Sequence, residues 1–148
     1  MTGPVEHPDE RLGHLLARVG KLLRDRIHVR MEGLGIGRGQ GLILFCLGEE
    51  NGLAQADLAR RAWVRPATLS AALHRLEEEG LVERRSDPAD ARVSRVYLTA
   101  KGEATRRQAE AAWQEVEVEL HGMLTQEERD RLLSLLEKLR DALARGSP

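Results

Sequence analysis

Two β-prone stretches, at about residues 82–86 and 94–98, flank a polar segment that contains Asp87-Pro88 and Asp90. Strand-forming runs on either side of turn residues are typical of a β-hairpin, here one with a long loop. In most of the remaining chain, apolar residues recur at helical spacing. The sequence therefore predicts a mainly α fold that contains a small β-hairpin.

Four helices are predicted before the hairpin. A long amphipathic helix spans about 10–31, an almost wholly apolar and therefore buried helix spans about 38–48, and a short helix spans about 54–61. The fourth helix, about 66–79, begins with a proline at its first position and ends at Gly80. The short third helix has Ala54 where a capping side chain is usual, so its start is under-capped.

Two long helices are predicted after the hairpin. Thr99 caps the fifth helix, which runs to about His121. Thr125 and Glu128 have the spacing of a capping box and open the sixth helix, whose leucines recur at helical spacing.

A short helix, a brief turn and a fourth helix form a helix-turn-helix, and a hairpin directly after it is the wing of a winged helix. In such a unit the second helix, here 66–79, enters the major groove of double-stranded DNA. Small and polar side chains on its outer face let the backbone approach the bases, and arginine can bind guanine through two bonds. The candidate DNA-binding residues on this helix are Arg65, Pro66, Ala67, Thr68, Ser70, Ala71, His74 and Arg75.

The wing, 86–95, supplies a second set of candidates. Arg92 suits the narrow minor groove, and Asp90, two residues earlier, can hold its guanidinium in one orientation. Arg84, Arg85 and Arg95 suit phosphate contacts, although arginines such as Arg84 and Arg85 also form local ion pairs. Ser94 completes the candidate DNA-binding residues.

Three segments resemble the MarR family of bacterial regulators. The stretch DPADARVSRVYLTAKG, 87–102, is similar to the family's wing signature, with Asp90, Arg92, Val96, Leu98-Thr99 and Gly102 at the expected spacing. The stretches TLSAALHRLEEEGLVERR, 68–85, and QADLARRAWV, 55–64, resemble its recognition helix with first wing strand and its third helix.

This resemblance implies a domain organisation. A lead-in at 1–9 precedes a helical dimerisation region, 10–32 and 99–145, and a winged helix-turn-helix at 36–98. It also implies a homodimer that binds a pseudo-palindromic operator as a repressor and is released by a small aromatic or lipophilic effector. Some members respond to oxidation of a cysteine.

Other functions are compatible with parts of the sequence. A winged helix can bind protein instead of DNA, and Cys46 could serve as a redox sensor. Cys46 lies within an apolar run with no positive charge beside it in sequence, which favours a buried, inert thiol. The histidines have no close metal-binding spacing, and we expect no metal or cofactor. The glycines of GLGIGRGQG, 33–41, fit neither G-x-G-x-x-G nor a P-loop, which argues against an enzyme.

The glycine-rich stretch instead joins the first helix to the second. Relatives often carry Leu-Thr-x-x-Gln here, so Gly37 takes the position of the threonine cap. Gly39 and Gly41 would then lie in the first helical turn and loosen it, unless packing holds it. We hypothesise that this joint lets the DNA-binding lobes change spacing.

The single cysteine allows no disulfide within the chain. The first ten residues lack the apolar region of a signal peptide, and the longest apolar run, 42–47, is too short to cross a bilayer. These features favour the cytoplasm and predict no membrane partner.

Overall fold

A computed structural model describes residues 11–37 and 39–146. Its elements are α1 (Leu12–Gly33), α2 (Gln40–Glu49), β1 (Leu53–Ala54), α3 (Gln55–Arg61), α4 (Pro66–Glu78), β2 (Val82–Ser86), β3 (Ser94–Leu98), α5 (Ala100–Met123) and α6 (Gln126–Arg145). The predicted mainly α fold with a hairpin wing is confirmed. The predicted lead-in, 1–9, lies outside the described residues.

The chain divides into two compact units between Ala112 and Trp113, within α5. In the first unit, α2, α3, α4 and the sheet enclose one hydrophobic core. Its completely buried side chains are Leu44, Leu47, Leu58, Leu69, Leu73, Leu76 and Val96. The predicted burial of α2 is only partly right, because Leu42 and Phe45 are exposed on its outer side.

The sheet has three antiparallel strands in the order β1-β3-β2. The hairpin register pairs Val82 with Leu98 and Ser86 with Ser94, so both predicted strands have the expected bounds. The sequence did not predict β1, whose two residues pair with Val96 and Arg95. Two residues are too few to show strand alternation, and β1 exists through its pairing with β3.

The start of α2 differs from the expectation. Gly39, not Gly37, is the N-cap residue, with a left-handed φ of 78°. The backbone N–H of Gly37 donates to the Gln40 side-chain oxygen over 2.8 Å, so the joint is closed by a side chain from within the helix. Gln40 and Ile36 are both buried, and this packing holds the helix start.

The start of α5 is tied to the end of α4. The Thr99 hydroxyl accepts a hydrogen bond from the Gly102 N–H (3.0 Å), as the predicted cap requires, and donates to the Gly80 carbonyl (2.6 Å). A Cβ atom on Gly102 would lie 1.9 Å from the Leu81 carbonyl oxygen. Only glycine therefore allows α5 to begin this close to β2.

The second unit comprises the end of α5 and α6. The predicted capping box is confirmed, because the Glu128 N–H donates to the Thr125 hydroxyl (3.2 Å) and the Thr125 N–H donates to the Glu128 carboxylate (2.9 Å). No residue of α6 is buried, and large apolar side chains stay exposed at Leu132, Leu133, Leu135, Leu136 and Leu143. In the first unit, α1 similarly exposes Leu12, Leu15, Leu16, Val19 and Leu22.

One non-glycine residue of the described chain has a positive φ. Trp63, in the turn between α3 and α4, has φ 55°. The left-handed conformation costs a residue with a Cβ roughly 1–2 kcal/mol, whereas glycine adopts it freely. Trp63 is 67% exposed, so burial of its side chain offsets little of this cost.

Replacing Trp63 with glycine should therefore stabilise the protein. We expect Trp63→Gly to raise the free energy of unfolding by up to about 1 kcal/mol, measured by urea denaturation. Trp63→Ala is the matched control, because it removes the ring and keeps the Cβ strain. Equal stability of the two variants would contradict the strain assigned to this turn.

Replacing Gly102 with alanine should destabilise the protein. The added Cβ forces the start of α5 away from Leu81, and we expect a loss of about 1–3 kcal/mol in the free energy of unfolding. Gly122→Ala is the matched control in the same helix, since its Cβ would meet nothing within 4 Å. That variant should be as stable as the original or slightly more so. Similar effects of both substitutions would refute the close contact.

Candidate nucleic-acid interface

Helix α4 presents two different faces. Leu69, Leu73 and Leu76 are buried in the core. The opposite face is exposed and carries the side chains expected to meet DNA: Ala67, Thr68, Ser70, Ala71, His74 and Arg75. Arg65 is the N-cap residue, and Pro66 occupies the first helical turn as predicted. The helical period thus gathers these candidates on one surface.

A groove of about 610 Å³ follows this face of α4. Its lining combines small side chains with a cationic edge: Ala67, Ser70, Ala71, His74, Arg75 and Arg84. Arg84 comes from β2, so the wing forms one side of the groove. His74 lies 3.4 Å from the Glu78 carboxylate, one helical turn away. Alanine and serine have small side chains, so little side-chain volume separates the backbone of α4 from this groove.

Three arginines expected to contact phosphate are engaged within the protein. Arg84 forms an ion pair with Glu77 of α4. Arg85 forms an ion pair with Glu83, and its guanidinium carbon lies 4.6 Å from the centre of the Tyr97 ring. These contacts match the local ion pairs considered for Arg84 and Arg85. Sequence spacing offered no sign of the Tyr97 contact, which depends on the hairpin register.

Arg95 braces the base of the wing. Its Nε donates to the Asp87 carboxylate over 2.5 Å, and another guanidinium nitrogen donates to the Gly52 carbonyl over 3.0 Å. The Arg95 hydrogen bond is the main reason that the pKa of Asp87 is lowered. Arg95 thereby joins β3 to the wing loop and to the residue before β1. Ser94, its neighbour, pairs with Ser86 where the strands meet the loop.

Arg65 and Arg75 differ from these braced arginines. In residues 11–37 and 39–146, no hydrogen bond or ion pair engages either guanidinium group. Both residues are exposed, ten positions apart, which corresponds to roughly 15 Å along a helix. The interface therefore has an uncommitted cation near each end of α4.

The wing loop orients its own arginine. The Asp90 carboxylate accepts hydrogen bonds from the Arg92 backbone N–H (3.0 Å), Nε (3.1 Å) and a terminal guanidinium nitrogen (3.3 Å). The Arg92 side chain is still 90% exposed. Its hydrogen bonds lower the pKa of Asp90, which keeps the carboxylate charged. The predicted pairing of Asp90 with Arg92 is confirmed.

Cys46 is buried at the inner side of α2. Burial raises the pKa of its thiol; Glu49 raises it further, and Arg61 lowers it by less. No positive charge lies beside Cys46 in sequence, as expected, but the fold brings Arg61 of α3 close enough to affect its thiol. The raised pKa still disfavours the reactive thiolate.

The described residues contain no group of three or more histidine, cysteine, aspartate or glutamate side chains arranged to hold a metal ion. Within residues 11–37 and 39–146, every helix is too short or too polar to span a bilayer.

Comparison with known proteins identifies relatives of this architecture. Residues 36–94 match the family model described as MarR family. The chain is 34% identical to the HTH-type transcriptional repressor Rv2887 of Mycobacterium tuberculosis over 131 residues, or 88% of this chain and 94% of the relative. It is 35% identical to the transcriptional regulator HosA of Escherichia coli O111:H- over 103 residues, or 70% of this chain and 76% of HosA.

A solved structure of the transcriptional repressor CouR bound to a 23-mer DNA duplex aligns with a TM-score of 0.84 and 26% identity, covering 95% of this chain and 99% of CouR. Rv2887 in complex with salicylic acid aligns with a TM-score of 0.70 and 33% identity, covering 89% of this chain and 98% of that one. The sequence identity and coverage of these relatives, with the winged helix and its Asp90–Arg92 wing, show that the chain belongs to the MarR family of transcriptional regulators.

Proposed function

We propose that this protein is a homodimeric repressor that binds a pseudo-palindromic DNA operator and is released by a small-molecule effector. The observation that carries the proposal is the outward face of α4, where small side chains lie between the uncommitted Arg65 and Arg75. The relatives CouR and MepR have been solved in complex with DNA, which supports the same partner here. Such a regulator acts in the cytoplasm, where chromosomal DNA lies.

In this proposal α4 lies in the major groove. Ala67, Ser70 and Ala71 allow its backbone to approach the bases closely. Arg75 is free to form two hydrogen bonds with guanine O6 and N7, which is the commonest specific contact of arginine. Arg65, at the start of the helix, is placed to bind a phosphate and so fixes the position of α4 along the duplex.

The wing lies in the adjacent minor groove. Arg92 is the inserted side chain, because it is exposed and Asp90 limits the directions its guanidinium takes. A narrow minor groove has an enhanced negative electrostatic potential, so it attracts a guanidinium group even where that group makes no specific hydrogen bond to a base. Arg84, Arg85 and Arg95 shape the wing through their pairs with Glu77, Glu83 and Asp87, and their phosphate contacts are secondary.

Dimerisation follows from the uncovered apolar faces. The exposed leucines of α1 and those of α6 form surfaces that a single chain leaves in water within each unit. Several exposed apolar side chains on one helix are typical of a protein interface. A homodimer also provides the two recognition helices, one helical turn apart on the duplex, that a pseudo-palindromic operator requires.

The effector is proposed to be a small aromatic or lipophilic molecule. Rv2887 has been solved with salicylic acid and with p-aminosalicylic acid, and the regulation of BpsR of Bordetella bronchiseptica is attributed to 6-hydroxynicotinic acid. These relatives and this family are regulators rather than enzymes. Cys46 is not assigned a sensing role, since it is buried and its pKa is raised.

Salt dependence separates the repressor from a winged helix that binds protein. We expect fluorescence anisotropy with DNA from upstream of the gene to show an affinity that falls steeply between about 50 and 200 mM salt, because bound phosphates release counterions. A dimer making about six or more phosphate contacts should lose roughly a thousandfold or more over this range. Weak binding that salt does not change would contradict the proposed function.

Arg65 and Arg75 should have different effects on binding. We expect Arg75→Ala to cost about 1–3 kcal/mol at the specific operator and to relax the choice of one base pair. Arg65→Ala should weaken specific and random DNA equally and reduce the salt slope by about one. Arg131→Ala on α6 is the control and should bind like the original. The same loss of specificity from both α4 variants would refute the division of roles.

A further inference from the structure

A second groove lies away from the outward face of α4, on residues of α2, α3 and the turn after α3. It has a volume of about 530 Å³ and lies between α2 and the turn that joins α3 to α4. Its lining includes Leu42, Phe45, Glu49, Arg60, Arg61 and Trp63, with Cys46 behind them. None of these residues belongs to the candidate DNA-binding set.

The groove walls are apolar and uncovered. Leu42 is 45% exposed, Phe45 46% and Trp63 67%, although the rest of the apolar residues of α2 are buried. Two aromatic rings in a chain with few aromatics are thus held at one open site. Trp63 is also held there by a left-handed turn that its side chain disfavours. Strained backbone clusters at ligand-binding sites, and exposed apolar patches mark interaction surfaces, so the two together favour a binding role.

The charges around the groove favour the binding of a cationic ligand. Arg60 forms an ion pair with Asp57, and Arg61 with Glu50. Within residues 11–37 and 39–146, no hydrogen bond or ion pair engages the Glu49 carboxylate. The effect of Glu49 on the buried Cys46 thiol also exceeds the opposite effect of Arg61. The available charge in this groove is therefore negative and lies beside aromatic rings, which is the combination that attracts an organic cation.

We propose that this groove binds a lipophilic aromatic cation, with its apolar body against Phe45 and Trp63 and its charge directed to Glu49. The proposal rests on the repressor function proposed above in one respect, since it makes this cation an effector. Its charge is opposite to that of the aromatic acids named with the relatives.

A ligand bound in this groove would affect the position of the recognition helix, α4. The Trp63 N–H donates to the Arg60 carbonyl (3.2 Å) and the Val64 N–H to the Ala59 carbonyl (3.1 Å), so the turn is bonded to the end of α3. Arg65, two residues after Trp63, is the N-cap of α4. A ligand that fixes Trp63 against α2 thus fixes the segment from which α4 begins.

The test compares two probes of the same shape and opposite charge. Tetraphenylphosphonium and tetraphenylborate are titrated into the full-length protein by isothermal titration calorimetry. We expect saturable binding of tetraphenylphosphonium and at least about tenfold weaker binding of tetraphenylborate. Equal or tighter binding of tetraphenylborate would overturn the proposal. Absence of tetraphenylphosphonium binding would overturn it as well.

Variants locate the site. Glu49→Gln and Trp63→Gly should each weaken tetraphenylphosphonium binding about fivefold or more. Trp63→Gly removes the ring and relieves the turn, and circular dichroism checks that it folds. Glu137→Gln and Trp113→Phe, which change a carboxylate and an indole in the other unit, are the matched controls and should bind like the original. Unchanged binding by Glu49→Gln or Trp63→Gly would overturn the assignment.

Operator binding is then measured by anisotropy with and without tetraphenylphosphonium. We expect the affinity for DNA to shift about fivefold or more, a common size for coupling between two sites. An unchanged DNA affinity at saturating probe would overturn the effector role. A protein that binds tetraphenylphosphonium through Trp63 and Glu49 but binds no DNA would instead contradict the proposed function, and the groove would still be supported.

Discussion

The burial of Leu69, Leu73 and Leu76 determines which face of α4 is available to bind DNA. These three side chains occupy the centre of the only core that α2, α3, α4 and the sheet share in the described residues. Because helical residues three and four positions apart share a face, fixing the leucines inward fixes Ala67, Ser70 and Ala71 outward. The shape of the recognition surface is thus a consequence of core packing. A change that rotated α4 would lose both together.

The arginines around that surface differ in whether they form ion pairs within the protein. The wing arginines Arg84, Arg85 and Arg95 have acidic partners, so much of their charge is balanced before DNA arrives. Ion pairs at a protein surface contribute little to stability individually, but these pairs give a short two-stranded wing a defined shape. Among residues 11–37 and 39–146, Arg65 and Arg75 have no acidic partner, so their charges remain available to an anionic duplex. Arg92 lies between these cases, because Asp90 orients it at the exposed end of the wing.

The sequence predicted the features that depend on local pattern. The hairpin bounds, the Thr99 and Thr125 caps and the Asp90–Arg92 pair each involve residues close in the chain, where spacing determines geometry. It missed β1, which exists only through pairing with β3 more than forty residues later. It also placed the cap at Gly37, because only the folded joint shows Gln40 bonding back to that residue. The ion pair of Arg84 with Glu77 and the exposed cluster of Phe45 and Trp63 likewise join separate elements, which periodicity within one element cannot reveal.

Methylation interference with dimethyl sulfate tests directly whether α4 lies in the major groove and the wing in the minor groove, because the reagent modifies guanine N7 in the major groove and adenine N3 in the minor groove. On an operator fragment, we expect guanine interference at two positions about one helical turn apart, with adenine interference beside each. The guanine signal should disappear with Arg75→Ala, and the adenine signal with Arg92→Ala. Guanine interference that survives Arg75→Ala, or adenine interference that survives Arg92→Ala, would contradict the placement of α4 and the wing.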